Sequence, residues 1–169
     1  MVAAISRRQF LRGDLRSRNA PLRPPWALGE ADFIDACDAC GACIRACPQR
    51  IVRTGEGGFP VLDFSAGECD FCAACAQACV PRALDTATGK TPRNRIAVID
   101  DELCLAQRGV ECRSCVDPCE SRAIRITYRV GATAMPSVAA DACTGCGACY
   151  RVCPVHAIAI RPVPAEESV

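Results

Sequence analysis

Lysine and histidine are almost missing from this chain: Lys90 is its only lysine and His156 its only histidine. One histidine cannot furnish the paired ligands that many zinc sites use, and its place after Pro154 and Val155 reads as an exposed turn. Aromatic residues are also few, with five Phe, two Tyr and one Trp in 169 residues. A chain of that size has little with which to fill an ordinary core, and small domains so placed rely on disulfides or metals. No apolar run approaches the roughly 18 residues that a transmembrane helix requires. The arginines come without aromatic interleaving or an RNA-binding module, so nucleic acid is not an expected partner. Cysteine, by contrast, is abundant, at 16 residues.

All sixteen cysteines fall into four sets. Cys37, Cys40, Cys43 and Cys47 are followed by Pro48, and Cys143, Cys146, Cys149 and Cys153 by Pro154. Cys69, Cys72, Cys75 and Cys79 repeat the spacing with Val80 inserted before Pro81. Three cysteines at intervals of three, then one four further on, is the spacing that ligates [4Fe–4S] clusters in bacterial ferredoxins. Four thiolates must converge on a cubane from different directions; a tight loop supplies three, and the fourth points away to a neighbouring cluster. Small residues between the ligands, Gly41, Ala42, Ala73, Ala74, Gly145, Gly147 and Ala148, let backbone N–H groups approach the sulfurs, and glycine permits positive φ. Cys104, Cys112, Cys115 and Cys119 form a looser set, with residues 105–111 inserted after the first cysteine and Glu120 in place of proline. The expectation is four [4Fe–4S] clusters, at least three of them from the regular sets, with this third set the less certain ligand group.

Disulfides fit this pattern poorly, because neighbours in so tight a loop miss the Cα separations that a bridge requires. Zinc fits poorly for want of histidines or paired knuckles. So many thiolates imply a reducing compartment. With every cysteine a thiolate and each cubane core near +2, the formal charge of +1 becomes about −7 in the loaded protein. Apoprotein should be largely unfolded.

Two pairings of the sets satisfy the spacing. Neighbours can exchange their fourth cysteines: Cys79 joins Cys37, Cys40 and Cys43; Cys47 joins Cys69, Cys72 and Cys75; Cys153 joins Cys104, Cys112 and Cys115; Cys119 joins Cys143, Cys146 and Cys149. Alternatively the first set pairs with the fourth and the second with the third. The neighbour arrangement is the simpler expectation.

Between the sets the chain reads as short strands. Residues 51–62 hold two apolar runs around a glycine-rich turn, the signal of a β-hairpin. Residues 123–128 alternate as a half-buried strand does, with a return leg opening at Val138. Residues 96–99 and 157–160 are further short strands. The fold class is therefore α+β: small, cluster-centred tandem bacterial-type ferredoxin-like folds, with short β-hairpins and helical turns around [4Fe–4S] clusters. The expected division is 1–30, an arginine-rich arm and proline linker; 31–100, a first ferredoxin-like domain with sets one and two; and 101–165, a second with sets three and four. Within the arm, Ser6-Arg7-Arg8 looks like a twin-arginine export motif, but the charged residues 12–18 stand where an apolar stretch belongs. A cytoplasmic location follows. Arg23-Pro24-Pro25-Trp26 reads as a stiff extended linker with Trp26 a lid on the first domain.

The non-exported Ser6-Arg7-Arg8 start, Arg23-Pro24-Pro25-Trp26, the second set and the insertion-bearing third set, with Cys115-Val116-Asp117-Pro118-Cys119-Glu120, together resemble the NapF family. These are ferredoxin-type accessory proteins of the periplasmic nitrate reductase system. The resemblance covers the whole chain and implies a cytoplasmic protein that binds the precursor of the catalytic subunit and assists its maturation, by iron–sulfur loading or a redox step, before export. Arg7, Arg8 and Trp26 are the candidate partner-binding residues. Two alternatives stand beside it: a soluble polyferredoxin electron carrier working with redox partner proteins, and an iron–sulfur cluster reservoir or scaffold. No catalytic constellation is present, and the chain is not read as an enzyme.

Overall fold

A computed structural model describes residues 21–87 and 94–163 of the chain. Arg7, Arg8 and the loop around Lys90 lie outside the described residues. The secondary structure is sparse, as expected of a chain whose loops carry its cofactors. Among the described residues there are four short α-helices, α1 (Glu30–Ala36), α2 (Ala42–Ala46), α3 (Ala74–Gln77) and α4 (Ala148–Arg151), and six strands in three two-stranded antiparallel sheets.

The first sheet is the expected hairpin, β1 (Val52–Thr54) with β2 (Pro60–Leu62). Val52 pairs with Leu62, and both are buried, while Arg53 on the other face is exposed. That alternation follows from the two-residue period of a strand. The turn needs glycine, since Gly57 and Gly58 take φ of 64° and 82°. A second hairpin joins β4 (Ile124–Arg129) to β5 (Ala132–Val138), with Ile124 opposite Val138. Pro136 is tolerated within β5 because a two-stranded sheet consists of edges.

The third sheet departs from a repeat of loop, helical turn and hairpin. After the second and fourth sets the chain does not form a hairpin. Instead β3 (Arg95–Ile99) pairs with β6 (Ile158–Pro162), Ala97 facing Ile160 and Ile99 facing Ile158. In the first half the same closure shrinks to one bridge, Ala27 with Leu84, supported by the Leu28 N–H donating to Ala83 O at 3.1 Å and the Asp85 N–H to Trp26 O at 2.8 Å. Each half is thus closed by its own first and last extended segments. Because β3 pairs with β6, residues 95–99 belong to the sheet of the second half.

The 23–26 segment is not a free linker. Pro24 and Pro25 are fully buried. The Arg23 guanidinium donates to both carboxylate oxygens of Glu30, at 2.6 and 3.0 Å, and to Pro60 O at 3.1 Å. It also lies 4.9 Å from the centre of the Phe33 ring and 5.6 Å from that of Phe59. Glu30 and Asp32 occupy the first turn of α1, where negative charge complements the helix dipole. Phe33 from α1 is wholly buried, a contribution of about 1.5–3 kcal/mol. The rest of the core mixes Ile51, Phe64, Ala83, Leu84 and Ile158 with cysteines. As the sequence suggested, Trp26 covers the first half, edge-on to Phe71 with ring centres 6.5 Å apart.

Candidate iron–sulfur centres

The cysteine loops share a backbone device. In the regular sets the residue before the second cysteine is left-handed: Ala39 (φ 57°), Phe71 (53°) and Gly145 (67°). So is the residue after it: Gly41 (69°), Ala73 (61°) and Gly147 (88°). Such turns make concave nests of N–H groups suited to anionic sulfur. The non-glycine members carry a cost of about 1–2 kcal/mol each, the kind of strain that gathers at functional sites. Asp38 and Asp70 hold the first two loops by accepting the N–H of Cys40 at 3.1 Å and of Cys72 at 3.3 Å. Hydrogen bonds from the Cys40 and Cys72 side chains and N–H groups keep both carboxyls below their usual range.

A second device recurs in all four sets. Arg50, Arg82, Arg122 and His156, each three residues past a fourth cysteine, are left-handed at φ of 54°, 56°, 51° and 51°. Their N–H groups donate to the carbonyls of Cys47, Cys79, Cys119 and Cys153 at 3.1, 3.2, 2.9 and 3.2 Å. This turn carries the chain out of each loop and into the following extended segment. It explains the exposed position of His156, and its only trace in the sequence is the constant offset from the cysteine.

The cysteines assemble by neighbouring sets. One hollow of about 310 Å³, partly open to solvent, is lined by Cys69, Cys72 and Cys75 together with Cys47. Another, of about 360 Å³, is lined by Cys104, Cys112 and Cys115 together with Cys153. Cys79 lies within electrostatic reach of Cys43, beside Cys37, and Cys119 within reach of Cys149, beside Cys143 and Cys146. The third cysteine of each set, Cys43, Cys75, Cys115 or Cys149, is buried. Burial first, then neighbouring thiols, pushes Cys43 up to about 11 and Cys75 and Cys149 to about 12. Burial pushes Cys115 up to about 11 as well. Without bound iron these sulfurs are thiols at neutral pH.

Among the described residues, no three His, Cys, Asp or Glu side chains converge closely enough to hold a single metal ion. At the second and third sets the sulfurs ring a hollow, which suits a cubane, whose irons lie at separate corners.

The third set is covered despite its insertion. Residues 105–111 fold back as compact turns, with the Arg108 N–H donating to Cys104 O at 3.1 Å and the Val110 N–H to Leu105 O at 2.9 Å. Leu105 lines the hollow and Ala106 is buried. The exposed cysteines are Cys40 and Cys72, both in the first half.

The two halves meet at the second and fourth sets. The Cys69 N–H donates to Cys146 O at 2.8 Å. Phe64 lies against Gly147, where a Cβ would collide with its ring. Arg95, at the start of β3, is buried beside Cys69, Cys75 and Cys146. The sets therefore adjoin in the order one, two, four, three.

Two halves of this construction, each with two exchanged cysteine sets, define a tandem dicluster ferredoxin. Family models described as "4Fe-4S dicluster domain" match residues 26–84 and again 108–157. Two such domains carry four [4Fe–4S] clusters, the number that sixteen cysteines can ligate. The chain is 38% identical to the ferredoxin-type protein NapF of Haemophilus influenzae, over 98% of this chain and 99% of the relative. It is 42% identical to NapF of Escherichia coli K12, over 90% and 92%. To the methylamine utilization ferredoxin-type protein MauM of Methylobacillus flagellatus it is 35% identical, over 90% of this chain and 74% of that one. The chain belongs to the NapF family of ferredoxin-type proteins. An iron–sulfur accessory or electron-carrying role goes with that membership. No helix among the described residues is long and apolar enough to cross a membrane.

Proposed function

We propose that this chain is a cytoplasmic accessory protein that binds the precursor of the periplasmic nitrate reductase catalytic subunit and assists its maturation before export. The observation that carries the reading is the likeness to NapF proteins along practically the whole chain, including the irregular third set. In this reading all sixteen cysteines are iron ligands, with fourth cysteines exchanged between neighbouring sets, and the two ferredoxin-like units divide before Arg95. When bound, each cluster supplies one-electron redox chemistry. The chain's part is to hold and screen the clusters. Left-handed loops turn N–H groups toward sulfur, the buried third cysteines keep water from one face, and Trp26 and Leu105 line the second-set and third-set hollows. Arg7, Arg8 and Trp26 remain the candidate partner contacts.

Anaerobic co-purification of tagged protein with the cytoplasmic precursor, alongside an iron count, tests this. Recovery of the complex with about four irons per cysteine set is expected. Fully loaded protein that retains no precursor would overturn it. A second reading, a free electron carrier, is favoured by the single file of sites. In that case the file gives two ends, the first and third sites, for donor and acceptor.

A further inference from the structure

The surroundings of Arg95 are unusual for a charged side chain. Its relative exposure is 1%, and the other buried side chains among the described residues are apolar or sulfur-bearing. One guanidinium nitrogen, Nη1, donates to Arg23 O at 3.2 Å, and the group sits 5.9 Å from the centre of the Phe71 ring. The remaining nitrogens, Nε and Nη2, are buried with no protein acceptor. Burial alone would disfavour the cation, whereas Cys69, Cys75 and Cys146 favour it. No carboxylate is paired with it. An uncompensated buried guanidinium is strongly destabilising, so the fold needs anionic charge at this spot. The backbone is committed too: at Gly145, the residue before Cys146, a Cβ would collide with the stem and carbonyl of Arg95.

We propose that Arg95 is a positioning residue shared by the second-set and fourth-set clusters, a fixed cation whose free N–H groups face their sulfur and hold both centres at a higher reduction potential than their own ligands would set. Reduction adds negative charge to a cluster, and a buried positive charge between two clusters stabilises that charge on either. The same charge makes loading of the two sites a condition for a well-closed junction between the units. This rests on the ligand assignment proposed above.

The test is a redox titration of the anaerobically purified holoprotein followed by electron paramagnetic resonance, with iron content measured on each sample. In Arg95→Met, with iron retained, two of the four centres shift to lower potential and two do not move. Arg95→Lys keeps the two potentials near those of the unaltered protein. Equal potentials at all four centres in the variant and the unaltered protein, or a uniform shift of all four, would overturn the proposal. If Arg95→Met fails to load, Arg95→Lys compared with Arg95→Gln decides, since the first keeps the charge and the second keeps only a donor. Indistinguishable potentials in those two would count against it. An unaltered protein that binds far less iron than four clusters require would instead refute the ligand assignment.

Discussion

At the scale of single residues, the exchange of fourth cysteines gives the sharpest expectation. Cys47 lines the hollow of the second set. Cys47→Ala is therefore expected to remove about a quarter of the iron and to abolish the signal that Cys69→Ala also abolishes. Loss of the signal that Cys37→Ala abolishes would refute the exchange. The raised thiols set a pH dependence. Cys75 and Cys149, pushed up to about 12 by burial and then by neighbouring thiols, must release protons when iron binds. Reconstitution with ferrous iron and sulfide should weaken steeply as pH falls from about 8 to about 6, measured by absorbance of the assembled cluster.

At the scale of elements, the loops and not the helices hold the architecture. Gly147 combines φ of 88° with a Cβ direction blocked by Phe64. Gly131, at the tip of the second hairpin, has φ of 75° with open space where a Cβ would stand. Gly131→Ala should cost only the backbone penalty, about 1–2 kcal/mol, while Gly147→Ala adds a collision at the junction and should cost at least about 3 kcal/mol. Thermal unfolding of the two holoprotein variants checks the difference; equal midpoints would contradict it. The hairpin at 51–62 and the outgoing strand at 123–128 were legible because their apolar alternation is local; the return strand was misplaced, since it runs Ala132–Val138 and ends at the residue where the sequence had it open. The partner of β3 was not legible, since the pairing of Ala97 with Ile160 joins residues far apart and leaves no local pattern. The cysteine grouping was legible to the level of sets, because a cubane dictates spacing. The choice between neighbouring and nested exchange needed the structure, as did Arg95, which in the sequence is one arginine among many. The linker reading failed at Arg23-Pro24-Pro25 because an extended proline pair looks the same in a linker and in a core.

At the scale of the whole molecule, sulfur stands where most proteins put aromatic rings. Five cysteines belong to the buried core, so iron removal by chelation under reducing conditions should unfold the chain, seen as loss of circular dichroism in step with loss of visible absorbance. Retention of the ordered signal after full iron loss would contradict this. The two closures described above also differ in when they become possible. The first unit is closed by the bridge between Ala27 and Leu84, whereas the second waits for β6 to reach β3. During synthesis the amino-terminal half has both of its closing segments once residue 85 has cleared the ribosome, while β3 has no strand partner until residue 162 follows. The order of translation thus favours filling the first pair of sites before the second, so a chain interrupted midway would emerge as a working half rather than as a damaged whole.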